Sequence, residues 1–309
     1  MTLISTTHSS SIKVPFSSQM NGELARALRL KLYMAQAELS QRINTQHCAE
    51  SYVPSQFHGK GGISIAPCRS MHSCFLCTPQ QFAKMRAQLS SLIRLWSNDG
   101  VVITATFNLP FPLEVSLGQR YRYLKDCWAA LTKDSRFQKL RTSHSLKYVR
   151  VLEDKYSKGQ WFPHFHVVFF LDSDGLPELS ELSLSLRSLW ARKAQNLGLH
   201  ATLPAVQHVG EFTDGTHRKL AQYLTKASFV GLDLDLEALD ANKDELTPFH
   251  LFQIAVGAGD FDALWAWREF ELYSGGQNRF VFSSGALIDR AKLKSAKSSD
   301  RQKRVFEAP

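Results

Sequence analysis

Apolar residues recur every three or four positions over residues 22–43, where Leu24, Leu28, Leu32, Ala35, Leu39 and Ile43 share one face, and this spacing predicts an amphipathic helix. A polar, His- and Cys-containing loop follows, with Gly59, Gly61 and Gly62 at its centre. Thr78-Pro79 signals a second helix start, and Phe82, Met85, Leu89, Leu92 and Trp96 form its apolar face until Asn98-Asp99-Gly100. The period then changes. Val101 to Phe107 is short, apolar and β-branched, the pattern of a buried strand. Leu117, Tyr121, Leu124, Trp128 and Leu131 return to helical spacing, and Tyr148 to Leu152 and Phe165 to Leu171 read as strands joined across Ser157-Lys158-Gly159. A helix over residues 178–197, a strand from about Ala205 to Phe212 and a helix over roughly residues 216–228 complete the pattern.

The hairpin makes the sheet at least partly antiparallel, which favours an α+β fold over a doubly wound parallel one. The expected architecture is a central, mainly antiparallel sheet of about five strands flanked by helices. Its divisions are a helical, Cys-containing N-terminal extension over residues 1–97, a core over 98–232, a helical accessory region over 233–288 and a flexible basic tail over 289–309.

Composition narrows the class. With 44% hydrophobic residues in 309, the chain buries a sizeable core and is neither wholly disordered nor a disulfide scaffold. No run reaches the roughly 18 to 20 apolar residues of a membrane span; Leu246 to Gly259 is interrupted by Pro248 and His250. Five Cys, an odd number, without a secretory pattern at the N-terminus point to a reducing compartment, the cytoplasm, where clustered thiols more often bind metal than pair. The formal net charge of +9 is regional: residues 1–175 and 286–309 are basic, and 176–285 are acidic. Arg120, Arg122, Lys125, Lys139, Arg141 and Lys147 crowd one stretch, interleaved with Tyr121, Tyr123, Trp128 and Phe137. Two readings stay open, a nucleic-acid surface with stacking platforms or a solvated helix face with its aromatics turned inward.

The candidate chemistry begins in Trp161-Phe162-Pro163-His164-Phe165-His166. On a strand, His164 and His166 leave the same face and can share one ion, while Phe165 points the other way. Glu153, eleven residues earlier on the partner strand, adds a carboxylate. Two nitrogens and one oxygen leave positions open for substrate oxygens. A one-residue register error would substitute Asp154. Further on, Tyr223 and Lys226 are three apart, one helical face, so an ammonium can favour the phenolate of a group whose ordinary pKa is about 10. Cys74 and Cys77 have knuckle spacing, with Cys68 before them and Cys48 as a fourth candidate ligand for a structural zinc; buried, reduced thiols are the competing reading. Cys127, beside Trp128, reads as a packed residue.

Taken in order, Val101-Val102-Ile103-Thr104-Ala105-Thr106-Phe107, Val149-Arg150-Val151-Leu152-Glu153 with His164-Phe165-His166, and Tyr223-Leu224-Thr225-Lys226 resemble bacterial rolling-circle replication initiators of the His-hydrophobic-His endonuclease superfamily. Cys68, Cys74 and Cys77 look like that family's upstream cysteine cluster; Leu246-Thr247-Pro248-Phe249, Trp267-Arg268-Glu269-Phe270 and Ser284-Gly285-Ala286-Leu287 look like its C-terminal region. The resemblance implies site-specific nicking and rejoining of single-stranded origin DNA, at a hairpin or AT-rich site, through a 5′-phosphotyrosine. Tyr223 is then the nucleophile and Lys226 its helper, with His164, His166 and Glu153 holding Mg²⁺ or Mn²⁺. It further implies a plasmid or phage replicon, a host helicase as partner and no membrane. Lys219 stands where some initiators carry a glutamate that activates a water, which leaves two routes to termination open, Glu211 or Asp214 as the substitute carboxylate or a different strategy.

Rival readings are a single-strand transposase of the same chemistry, and a non-catalytic, zinc-containing DNA-binding regulator whose His pair is structural. A cupin-type oxygenase is disfavoured, because Phe169 and Phe170 stand where such sites place a glutamate.

Overall fold

The computed structural model describes residues 22–42, 44–46, 48, 68–75, 77–97, 100–112, 114–172, 178–199, 206–211, 220–221, 224, 245–284 and 287. Helix α1 (Gly22–Leu39) ends four residues short of the predicted boundary, and α2 (Cys77–Trp96) begins on a cysteine rather than at Thr78. Strand β1 (Gly100–Phe107) leads through a loop to α3 (Leu117–Lys133), where Ser116 and Gln119 close a reciprocal capping box. Asp134 ends α3 and caps α4 (Ser135–Ser143), a helix that the apolar periodicity did not announce. Strands β2 (Lys147–Ser157) and β3 (Gln160–Asp172) form the hairpin, both longer than their apolar cores. Then come α5 (Leu179–Asn196), β4 (Val206–Glu211), α6 (Pro248–Ala258), α7 (Phe261–Ser274) and β5 (Phe280–Phe282).

The mixed helix and antiparallel sheet agree with the α+β reading. Strands run in the order β4-β1-β3-β2-β5, with four strands of six or more residues and the three-residue β5 at one edge. Every pairing is antiparallel. β3 is therefore the middle strand, and its two faces meet different partners. Phe165, Val167, Phe169 and Leu171 enter a large cluster with Ile103, Phe107, Trp128, Phe137 and Trp190, which also takes in Leu32 of α1, Phe252 of α6 and Trp267 of α7. Val168 and Phe170 face a smaller cluster with Val102, Val149, Val151, Leu92 and Trp96. The helical residues Leu220, Ala221 and Leu224 pack into that second cluster.

Below the hairpin a buried polar group ties β2 to the approach to β5. Asp154 accepts hydrogen bonds from Tyr121 Oη at 2.8 Å and Arg279 Nη2 at 2.7 Å, and both ion-pair side chains are essentially buried. Burial raises the Asp154 carboxyl, opposed by the Arg279 guanidinium and the tyrosine hydroxyl. Removing one partner strands the other charge. Asp154→Ala is expected to destabilise the fold by about 3 kcal/mol in urea titration, and a midpoint unchanged from the parent protein would refute this.

Candidate metal centre and cysteine cluster

Lys158 (φ 48°) and Gly159 (φ 77°) form the two-residue turn, both in the left-handed region that such a hairpin requires. This turn sets the register, pairing Glu153 with His164 and Asp154 with Pro163. Since side chains alternate, Glu153 joins the histidine face and Asp154 takes the opposite one, which decides between the two carboxylates left open by the sequence.

On that face Glu153 Oε2 lies 3.0 Å from His164 Nε2 and also meets His166 Nε2; the two Nε2 atoms are 3.2 Å apart. All three residues are buried. His164 Nδ1 donates to Phe162 O at 3.0 Å, and Thr106 Oγ1 sits 3.0 Å from His166 Nδ1, across the β1–β3 register pair. Both outer nitrogens are thus engaged and both inner nitrogens converge on one carboxylate oxygen, an arrangement that can hold a cation at its centre. Burial raises the Glu153 carboxyl, but hydrogen bonds to both imidazoles outweigh that and hold it below the usual range. Burial lowers His164, yet the Glu153 carboxylate raises it overall; His166 is lowered, by burial and by the neighbouring His164. The group fits a divalent metal, its three ligand atoms lying within 4.8 Å of one another.

Two neighbours escaped the reading of the sequence. Thr106 was noted only as part of an apolar strand. Lys155, two residues beyond Glu153 and so on the same face, bonds Glu245 through Nζ at 2.6 Å, and its charge disfavours protonation of both histidines. The i, i+2 rule applied to Glu153 would have found it.

The structure gathers Cys48, Cys68, Cys74 and Cys77, all of whose sulfurs lie within 4.8 Å of one another. Sulfur separations are 3.6 Å for Cys48–Cys77 and 3.8 Å for Cys48–Cys74. A tetrahedral thiolate site with metal–sulfur bonds of about 2.3 Å has edges of about 3.8 Å. Gln36 of α1, fully buried, clamps the group: Nε2 donates to Cys74 Sγ at 3.7 Å and Oε1 accepts from Phe75 N at 2.9 Å. Backbone N–H groups of Cys77, Ser70 and Arg69 point at the sulfurs of Cys74, Cys68 and Cys77. The thiols of Cys68 and Cys74 hold Cys77 down to about 2, and Cys74 is raised by Cys68 and Cys77. Cys127 stands apart, fully buried with Sγ 3.9 Å from Trp190 O, and burial pushes it up to about 12.

The basic face needs correction. Arg120 is not a surface cation: it is buried and donates to Val115 O at 2.8 Å, Pro112 O at 3.1 Å, Gln160 Oε1 at 3.0 Å and Trp161 O at 2.5 Å, tying the loop before α3 to the start of β3. Tyr121, Trp128 and Phe137 are core residues, so they offer no stacking platforms. Arg122, Lys125, Lys139 and Arg141 are exposed, and Lys147 is half-buried with Nζ 4.9 Å from the Trp96 ring. α3 covers the face of β3 opposite to the histidines, so its cations are separated from the metal centre by the sheet. Tyr223, Lys226 and Lys219 lie outside the described residues. Among the described residues no helix is long and apolar enough to cross a membrane. No protein-family model, curated protein or solved structure matches the chain.

Proposed function

We propose that the chain is a His-hydrophobic-His endonuclease that nicks and rejoins single-stranded DNA at a replication origin, initiating rolling-circle replication of a plasmid or phage. The observation that carries this reading is the convergence of His164, His166 and Glu153 on the middle strand of an antiparallel sheet. These residues would hold Mg²⁺ or Mn²⁺, which supplies Lewis-acid polarisation of a phosphate oxygen. Tyr223 is the proposed nucleophile: its phenolic oxygen gives up its proton and forms the new bond to phosphorus, the bond to the 3′-oxygen breaks, and the leaving 3′-oxygen takes up a proton in exchange. One phosphodiester replaces another, so the step runs in both directions, and Lys226 favours the phenolate. The reading is supported by Leu220, Ala221 and Leu224, neighbours of Tyr223 in the sequence, which pack on the same sheet face as the histidines. The four cysteines fit a structural Zn²⁺, whose closed, all-sulfur donor set leaves no reactive position.

The burial of all three metal-site residues favours one second reading, a zinc-containing DNA-binding regulator in which the triad is structural. Labelled single-stranded origin DNA incubated with the protein and Mn²⁺ separates the two. A covalent adduct on a denaturing gel that disappears in Tyr223→Phe is the expected result. An adduct persisting in Tyr223→Phe would move the nucleophile elsewhere, and no adduct with either metal would leave the regulator.

A further inference from the structure

Helix α7 carries large apolar side chains that stand outside the core. Phe261 is 75% exposed, Trp265 64% and Leu272 60%. With 3.6 residues per turn, these three and Arg268 fall within about 60° of the helix circumference. Ala263, Ala266, Trp267, Phe270 and Ser274 take the opposite side and are buried, with Trp267 and Phe270 in the large cluster. The helix is therefore apolar on two faces, and packing against the core accounts for one of them.

The pattern of the outer face indicates what covers it. Positions 261, 265, 268 and 272 are spaced four, three and four apart, the alternation of an a/d seam between two helices. The stripe is also complementary to itself when turned end for end: Phe261 meets Leu272 of a second copy, and Trp265 meets Arg268 of that copy. A guanidinium over an indole face is favourable, and the same two side chains already stand 5.7 Å apart, Cζ to ring centroid, within one chain. Parallel pairing would set Arg268 against Arg268, like charge on like. A nucleic-acid strand is a poor occupant, because Asp260, Asp262, Glu269 and Glu271 surround Arg268, the one cation of α7.

We infer that the stripe is the interface of a two-fold dimer, in which the α7 helices of two copies of this chain pack antiparallel. Each contact then occurs twice, as a two-fold axis requires. The seam runs about 16 Å along the helix, less than a standard interface, so the dimer is weak, with a dissociation constant on the order of tens of micromolar. α7 packs on the face of the sheet opposite to the histidines, so the pairing leaves both metal centres uncovered and is independent of the nuclease reading.

Sedimentation equilibrium of the full chain, from well below to well above that concentration, tests the dimer. The intact protein is expected to rise from the mass of one chain to that of two. Trp265→Asp is expected to stay at one, with the unfolding midpoint of the parent protein, since this side chain lies mostly outside the core. Disulfide trapping tests the register: Phe261→Cys and Leu272→Cys, made separately and oxidised, are expected to link when mixed and to show only the background of the native cysteines when alone. A dimer that survives Trp265→Asp would overturn the inference. So would an intact protein that remains a single chain throughout, which would give the stripe to a different protein. Linking of Phe261→Cys to itself rather than to Leu272→Cys would overturn the antiparallel pairing.

Discussion

His166→Ala is expected to slow metal-dependent nicking by about a thousandfold. The imidazole is one of the three proposed ligands, and losing the proposed Lewis acid would remove several kcal/mol of transition-state stabilisation, about 4 kcal/mol for a thousandfold change. A graded control sits beside it. Thr106→Val keeps the three ligands but removes the hydroxyl 3.0 Å from His166 Nδ1, and such outer contacts are worth about ten- to a hundredfold in metal affinity. Single-turnover nicking across a Mn²⁺ titration distinguishes the two, since Thr106→Val is rescued by higher metal and His166→Ala is not. Nicking by His166→Ala at the parent rate would show that the ion is held elsewhere.

Cys74→Ser is expected to abolish zinc binding and lower the unfolding midpoint by on the order of ten degrees. Cys74 is fully buried, and Gln36 and Phe75 connect it to α1 and to the large core through Phe249 and Phe252. Structural zinc in small domains contributes roughly 10–16 kcal/mol, comparable with the whole stability of a typical protein, so this loss is felt well beyond the loop. Metal analysis and calorimetry with and without chelator measure it. The parent protein should lose stability on chelation and Cys74→Ser should lose no more; a zinc-free parent protein indifferent to chelator would sink the prediction.

Much of the metal centre was legible because strand periodicity is a hard rule. His164 and His166 had to share a face, and Phe165 had to leave it. Choosing Glu153 over Asp154 required the turn: Ser157 pairs with Gln160, so only Lys158 and Gly159 are unpaired, and a three-residue turn would have shifted every partner. The fate of the basic stretch was not legible. Helical spacing assigns Tyr121 and Trp128 to the apolar stripe, but it does not say which side of the sheet the stripe covers. Nor does charge reveal that Arg120 folds inward onto carbonyls, since those acceptors come from the loop before α3, at Pro112 and Val115, and from β3, at Trp161. The cysteine group was readable as a set: Cys74 and Cys77 announce a knuckle, and the further candidates Cys68 and Cys48 join it in the folded chain.

The metal centre occupies the middle strand, with β1 and β2 bonded on either side along its length. Amides so placed exchange with deuterated solvent only when much of the molecule opens. The backbone of His164 to Val168 should therefore be among the last to exchange, and heat should extinguish the proposed nicking and tertiary structure together, in one transition.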